Sequence, residues 1–306
     1  MKTIYKFSIL AILFIATLTS CEDVISLDTK PGVEQLVVDA WITDEIKAQT
    51  VKLTLSQPYF DNSTPPPALG ASVFMFSQDS TAYEFIDEEK NGEYIYRPQN
   101  GKSFLTKIGQ QYALYINYQS EEYVSASRLK PVPKIDSVSY QVFTRPVVTD
   151  TLPKVGFIAE FYARDFEGKG DAYWVRYRKN GNLKNKPDNI SISFDGGFSP
   201  NADTDGLLFI RPIRQSINDF GEALYQDKDS LEIDLYAITA EAYFFLFQVR
   251  QESANGGIFA TPPANIPTNI FNRNTTSKKT AIGFFGVSTV STFKTAIDQK
   301  KAKPED

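Results

Sequence analysis

Leu36-Val37-Val38-Asp39-Ala40-Trp41 decides the fold. Leu36, Val38 and Ala40 alternate with Val37, Asp39 and Trp41, the period of two that marks a strand with one packed face. The same period returns in Val51, Leu53 and Leu55 against Lys52, Thr54 and Ser56, and in Tyr112, Leu114, Ile116 and Tyr118. Between these runs, Pro65-Pro66-Pro67 lacks ladder donors and favours an extended polyproline segment before Gly70. Further strands are expected at Ala71–Ser77, Ala82–Ile86, Glu93–Arg97 and Glu122–Ser127, with a loop around Asn91-Gly92. About seven short strands in roughly 100 residues, with no helical stretch, predict an immunoglobulin-like β-sandwich over residues 33–130.

Leu129-Lys130-Pro131-Val132-Pro133-Lys134 is the expected domain boundary, because two prolines with polar neighbours do not continue a central strand. Beyond it, residues 131–295 predict a second β domain, a sandwich or barrel-like body. Its strands are read at Val155–Tyr162, Ala172–Lys179, Ile190–Phe194 and Leu231–Tyr236, with closing strands at Ala281–Phe285 and Thr289–Phe293. One helix is predicted over 240–253. Thr239 can cap it, Glu241 sits in its positive first turn, and Asn255-Gly256-Gly257 ends it. Apolar residues cover most of its circumference, so it is expected to be largely buried, plugging a sheet or barrel. Residues 296–306 read as a charged tail free to fray. The fold class is all-β.

The N-terminus reads as an address. Lys2 and Lys6, an apolar run from Phe7 to Leu18 and the small residues before Cys21 make residues 1–20 a secretory signal. The run is too short for the ~20 residues that a membrane-spanning helix needs. Ordinary cleavage before Cys21 would put bulky Leu18 at −3, and a structural cysteine would want a partner that the chain lacks. Leu18-Thr19-Ser20-Cys21 instead resembles a bacterial lipobox, which implies a diacylglycerol on Cys21 and a tether over 21–32. Acidic Glu22 and Asp23 resemble a surface-export signal of Bacteroidota lipoproteins; an ordinary solvated linker is the other reading. Losing both lysines would take the net charge from −5 to −7. An acidic chain without a long basic run argues against nucleic acid and against electrostatic membrane binding, which leaves membrane contact to the lipid. Histidine is absent, so Ser-His-Asp and Cys-His triads and His-ligated zinc are excluded.

Three segments carry a family resemblance. They are Pro58-Tyr59-Phe60-Asp61-Asn62 leading to Pro65-Pro66-Pro67 and Gly70-Ala71, Phe259–Pro267, and Ala281-Ile282-Gly283-Phe284-Phe285-Gly286-Val287-Ser288. With Cys21-Glu22 and the Leu36–Thr43 strand, the chain resembles the Bacteroidota envelope lipoproteins grouped as domain of unknown function 4249. The resemblance implies no catalytic residues. It implies an accessory lipoprotein beside a TonB-dependent outer-membrane transporter, capturing or delivering a ligand.

Candidate sites are few. Asn201, Asp203 and Asp205 precede Gly206 as oxygen ligands precede glycine in calcium loops, but position 12 is Pro212 and no helix leads in, which favours a solvated turn. Glu160, Asp165, Glu167 and Asp171 could hold a glycosidase pair; acids in a solvated loop are the plainer reading. Tyr173, Trp174 and Tyr177 are the aromatics best placed for a ligand platform, while most of the others are core. Asp79-Ser80-Thr81, Asp136-Ser137-Val138, Asp150-Thr151-Leu152 and Asp229-Ser230-Leu231 resemble O-glycosylation sites, or simply turns.

The expected function is therefore a non-enzymatic, lipid-anchored outer-membrane protein that captures a ligand for a TonB-dependent transporter, with no cofactor and with the surface favoured over the periplasm. A surface carboxylate hydrolase and a passive adhesion or scaffold module are the alternatives.

Overall fold

The alternating phase read from the sequence is the buried phase. In the computed structural model, which describes residues 32–58, 61–99, 101–147, 151–255 and 264–305, Leu36, Val38, Ala40 and Ile42 of β1 (Leu36–Thr43) are buried. β2 (Gln49–Leu55) buries Val51 and Leu53 in the same way. Then come β3 (Ser72–Ser77), β4 (Ala82–Phe85), β5 (Glu93–Tyr96), β6 (Gln111–Tyr118) and β7 (Glu121–Arg128). The next set is β8 (Ile135–Thr144), β9 (Val155–Ala163), β10 (Ala172–Lys179), β11 (Asn182–Lys184), β12 (Ser191–Phe194) and β13 (Ser230–Ile238). The helix α1 (Ala240–Ser253) precedes β14 (Phe271–Asn272), β15 (Ala281–Ser288) and β16 (Val290–Ala296).

Two sheets, β15-β1-β2-β5 and β14-β7-β6-β3-β4, enclose the first core. The triproline segment lies along β2 as an acceptor, taking the Leu55 N–H on the Pro66 carbonyl at 2.8 Å. Two strands of this sandwich come from beyond residue 131, which corrects the partition expected at that boundary. β15 runs parallel to β1 in unbroken register from Leu36–Ala281 to Thr43–Ser288 and covers an edge that would otherwise be open. Gly283 permits it. Its φ is +98°, and a Cβ there would sit 2.0 Å from the Val38 carbonyl oxygen.

The second core lies between the β8-β9 ribbon and the β11-β10-β13-β16 sheet, with β12 also paired to β10. β8 escaped the sequence reading because a bulge between Ile135 and Ser137 breaks its alternation. The C-terminal tail does not fray. Val142 N–H donates to the Lys303 carbonyl at 2.9 Å, Lys303 N–H donates to Tyr140 at 3.0 Å, and Ile297 is buried.

β15 passes into β16 through Thr289 alone, so one continuous segment serves both sandwiches. The crossing is pinned. Thr289 Oγ1 donates to the Lys130 carbonyl at 2.7 Å, and Val290 N–H donates to Asp44 Oδ1 at 2.9 Å. From Val33 to Asp306 the chain forms one compact unit.

α1 has the bounds expected, with Thr239 Oγ1 accepting from Ala242 N–H at 3.2 Å. Its burial differs from expectation. Ala242, Tyr243 and Leu246 are buried, but Phe244 is 47% exposed and Phe245 and Phe247 are half-buried. The helix packs one face against β10, β12, β13 and Phe284 of β15 and leaves the other open, so it covers the sheet instead of plugging it. Among the described residues, no helix is long and apolar enough to cross a membrane.

Candidate ligand-binding cleft

Strand alternation turns Val37, Asp39 and Trp41 of β1 away from the first core. β15 sets Phe284 beside Asp39, β10 presents Trp174 and Arg176, and α1 adds Phe245, Leu246 and Val249. Together they line a cleft of 920 Å³ between the two sandwiches. Its wall is a ring cluster. Trp41 and Phe284 stack with centroids 5.3 Å apart, Trp41 meets Trp174 edge-on at 5.0 Å, and Phe245 lies 4.8 Å from Phe284. Gly286 makes room for this wall, since a Cβ there would sit 2.9 Å from the Trp41 ring. The chain has two tryptophans, and both stand here.

Charge is arranged in rows. Asp39 lies opposite Lys52, and Lys52 lies opposite Glu93, with Lys52 Nζ 3.6 Å from the Glu93 carboxylate. Lys184 and Lys186, also at the cleft, both pair with Glu222. The Arg176 guanidinium stands over the rings of Trp174 at 4.8 Å and Tyr236 at 5.6 Å. Asp39 is open to solvent but crowded by the cleft walls. That crowding raises its carboxyl above the ordinary value, against the opposing pull of Lys52, Arg176 and Trp41.

A second cleft of 690 Å³ lies on the other side of Phe245 and Phe284. Phe244, Phe271 and Val124 line it, and Ser125 Oγ is buried there without a hydrogen-bond partner among the described residues.

Of the three aromatics proposed as a platform, only Trp174 lines the 920 Å³ cleft. Tyr173 and Tyr177 occupy the opposite phase of β10 and lie in the second core, which corrects their assignment. The Tyr173 hydroxyl donates to Asp165 Oδ1 at 2.6 Å, and burial pushes both tyrosines well above the phenol range.

The calcium-loop set is not assembled either. Asn201 and Asp203 are exposed, while Asp205 joins Asp165 and Asp195, with carboxylate oxygens all within 4.8 Å of one another. These three pin loops. Asp195 Oδ1 accepts the N–H of Gly170 at 2.7 Å and of Asp171 at 2.9 Å, and Asp205 Oδ1 accepts that of Gly168 at 3.0 Å. Burial first, then the charges of Asp171 and Asp195, raise Asp165 to about 6.

The loop acids disperse in the same way. Burial alone would raise Glu160, but Arg211 at 2.8 Å, Tyr162 and Arg214 hold it below the usual carboxylate range. Asp171 pairs with Lys130 at 3.3 Å, and Glu167 is exposed. Ser80, Ser137 and Ser230 are exposed. Cys21, the signal 1–20, most of the tether 21–32, Tyr59, Phe60, Asp150 and Phe259–Pro263 lie outside the described residues.

Trp41, Arg176, Phe245 and Phe284 were missed by sequence reasoning. One signal was available: the non-core phase of β1 carries Val37 and Trp41, too apolar for a plain solvent face.

A two-domain fibronectin type III segment of chicken tenascin aligns at 10% identity over 66% of this chain and 90% of that chain, with a TM-score of 0.19. No curated protein matches the chain. The family model described as domain of unknown function (DUF4249) matches residues 22–294, nearly the whole described body, and the chain belongs to that family.

Proposed function

We propose that this protein is a non-enzymatic ligand-capture lipoprotein, anchored to the outer membrane through Cys21 and serving a TonB-dependent transporter. The observation that carries the capture role is the tryptophan-walled cleft of 920 Å³ between the sandwiches. A concave site of this volume, with an aromatic wall beside charged groups, suits a small ligand. A passive scaffold has no use for two tryptophans held half-buried around a cleft. A hydrolytic role gains little from it, because the acids there, Asp39 and Glu93, flank Lys52 on three adjacent strands and share its charge. The anchoring role rests on the lipobox-like Leu18–Cys21 and the lone cysteine.

The test is purification of the tagged full chain from detergent-solubilised membranes of its native host. The expected result is an acylated Cys21 in the N-terminal peptide and a co-purifying outer-membrane barrel. An unacylated chain, or repeated recovery without any barrel, refutes the anchoring and partner roles respectively.

A further inference from the structure

We infer that the cleft between the sandwiches binds an amphipathic monoanion, with a flat apolar body against the tryptophan wall and a carboxylate on Arg176. The inference rests on the capture reading and names its ligand class.

Arg176 is the group that calls for an anion. Among the described residues its guanidinium takes no hydrogen bond and no ion pair; it stands over the rings of Trp174 and Tyr236 and within electrostatic reach of Asp39, whose pull is shared with Lys52. The natural partner would be Asp234, directly opposite across the β10–β13 ladder. Asp234 is already taken. Arg178 Nη1 donates to it at 2.6 Å and Thr292 Oγ1 at 2.7 Å, and it is buried. The other cations at the cleft are engaged, Lys52 with Glu93 and Lys184 and Lys186 with Glu222. Arg176 is thus held over two aromatic rings, half-buried, with no hydrogen bond taken among the described residues.

A guanidinium presents paired N–H groups in the geometry a carboxylate accepts. The ring wall beside it supplies area for a planar apolar body. With Lys52, Lys184 and Lys186 paired to acids, Arg176 leaves one positive charge for a ligand. Asp39 and Glu93 line the same cleft and would repel a dianion such as a phosphate monoester. A neutral ligand of the same shape would cover Arg176 without satisfying it, which costs affinity.

The experiment titrates the purified full chain with 2-naphthoate and with its neutral isostere 2-naphthamide by calorimetry, using the wild type, Arg176→Gln, Arg176→Lys and Trp174→Ala. The wild type is expected to bind the acid roughly ten- to a hundred-fold tighter than the amide, the range for hydrogen bonds to a charged group. Arg176→Gln removes that preference, Arg176→Lys keeps part of it, and Trp174→Ala weakens both compounds. Equal binding of acid and amide by the wild type overturns the anion inference while leaving the cleft a ligand site, and needs no variant to fold. A preference that survives in Arg176→Gln also overturns it. Binding of neither compound overturns the inference of a flat-bodied anion and leaves the capture reading to the membrane purification.

Discussion

Replacing Gly283 by alanine tests the strand exchange that builds the molecule. Two costs add. A φ of +98° lies outside the small left-handed basin, which costs an alanine about 1–3 kcal/mol. The added Cβ would also sit 2.0 Å from the oxygen and 2.8 Å from the carbon of the Val38 carbonyl. Backbone at both partners leaves no side chain to swing aside, so β15 must lift from β1 and lose ladder bonds near Phe284. Together the loss is about 3–5 kcal/mol, in the range kept for backbone clashes and strain. For a chain of this size, that is a fall in Tm of about 6–12 °C. Gly109→Ala is the control. Its φ is +81° and nothing lies within 4 Å of its Cβ position, so it carries the conformational cost alone. Urea and thermal unfolding followed by circular dichroism separate the two. A loss in Gly283→Ala no larger than in Gly109→Ala would refute the close parallel contact between β1 and β15.

Gly286→Ala pushes a Cβ to within 2.9 Å of the Trp41 ring, so tryptophan emission is expected to shift while stability falls by about 1–3 kcal/mol; an unchanged spectrum would sink the account of the cleft wall. Asp165→Asn tests a pH dependence. The Asp165 carboxyl titrates near 6, above its ordinary 3.8, so the folded chain holds this proton more tightly than the unfolded one. Its contribution is complete below about pH 4 and is lost as pH rises through about 6, a change of about 3 kcal/mol at 1.36 kcal/mol per unit. The asparagine variant should show a flatter stability profile across that window, and an identical slope would contradict the burial argument. Thr239→Ala removes the side-chain acceptor of Ala242 N–H and should cost about 1 kcal/mol, read by chemical denaturation. No loss there would mean that the cap is idle.

Local signals made the elements legible. Ala172–Lys179 and the helix Ala240–Ser253 have the bounds read from alternation, capping and the Gly-Gly stop. The all-β class followed from the same signals. Where the alternation is broken, as at the Ile135–Ser137 bulge, the strand was invisible. The partition into 33–130 and 131–295 misplaces β14 and β15, because pairing partners 147 or more residues apart leave no local trace. Tyr173 and Tyr177 looked like surface aromatics because nothing local says which phase of β10 faces the second core. The answer depends on β8 and β9 packing there.

The cleft was hidden for the same reason. Its wall draws Trp41, Trp174, Phe245 and Phe284 from four distant segments, and two of those segments meet only because β15 returns to the first sandwich. That return also fixes how the cleft can work. Thr289 joins β15 to β16 without a loop, and its bonds to Lys130, with those between Val290 and Asp44, tie the crossing on both sides. Two sandwiches joined by one linker could hinge open and shut on a ligand. Two sandwiches joined by one continuous β15–β16 segment, with the Lys130 crossing bonded beside it, present a cleft already formed. On the proposed capture reading, affinity there would come from the fit of the rings and the charge of Arg176, with little ordering to offset it.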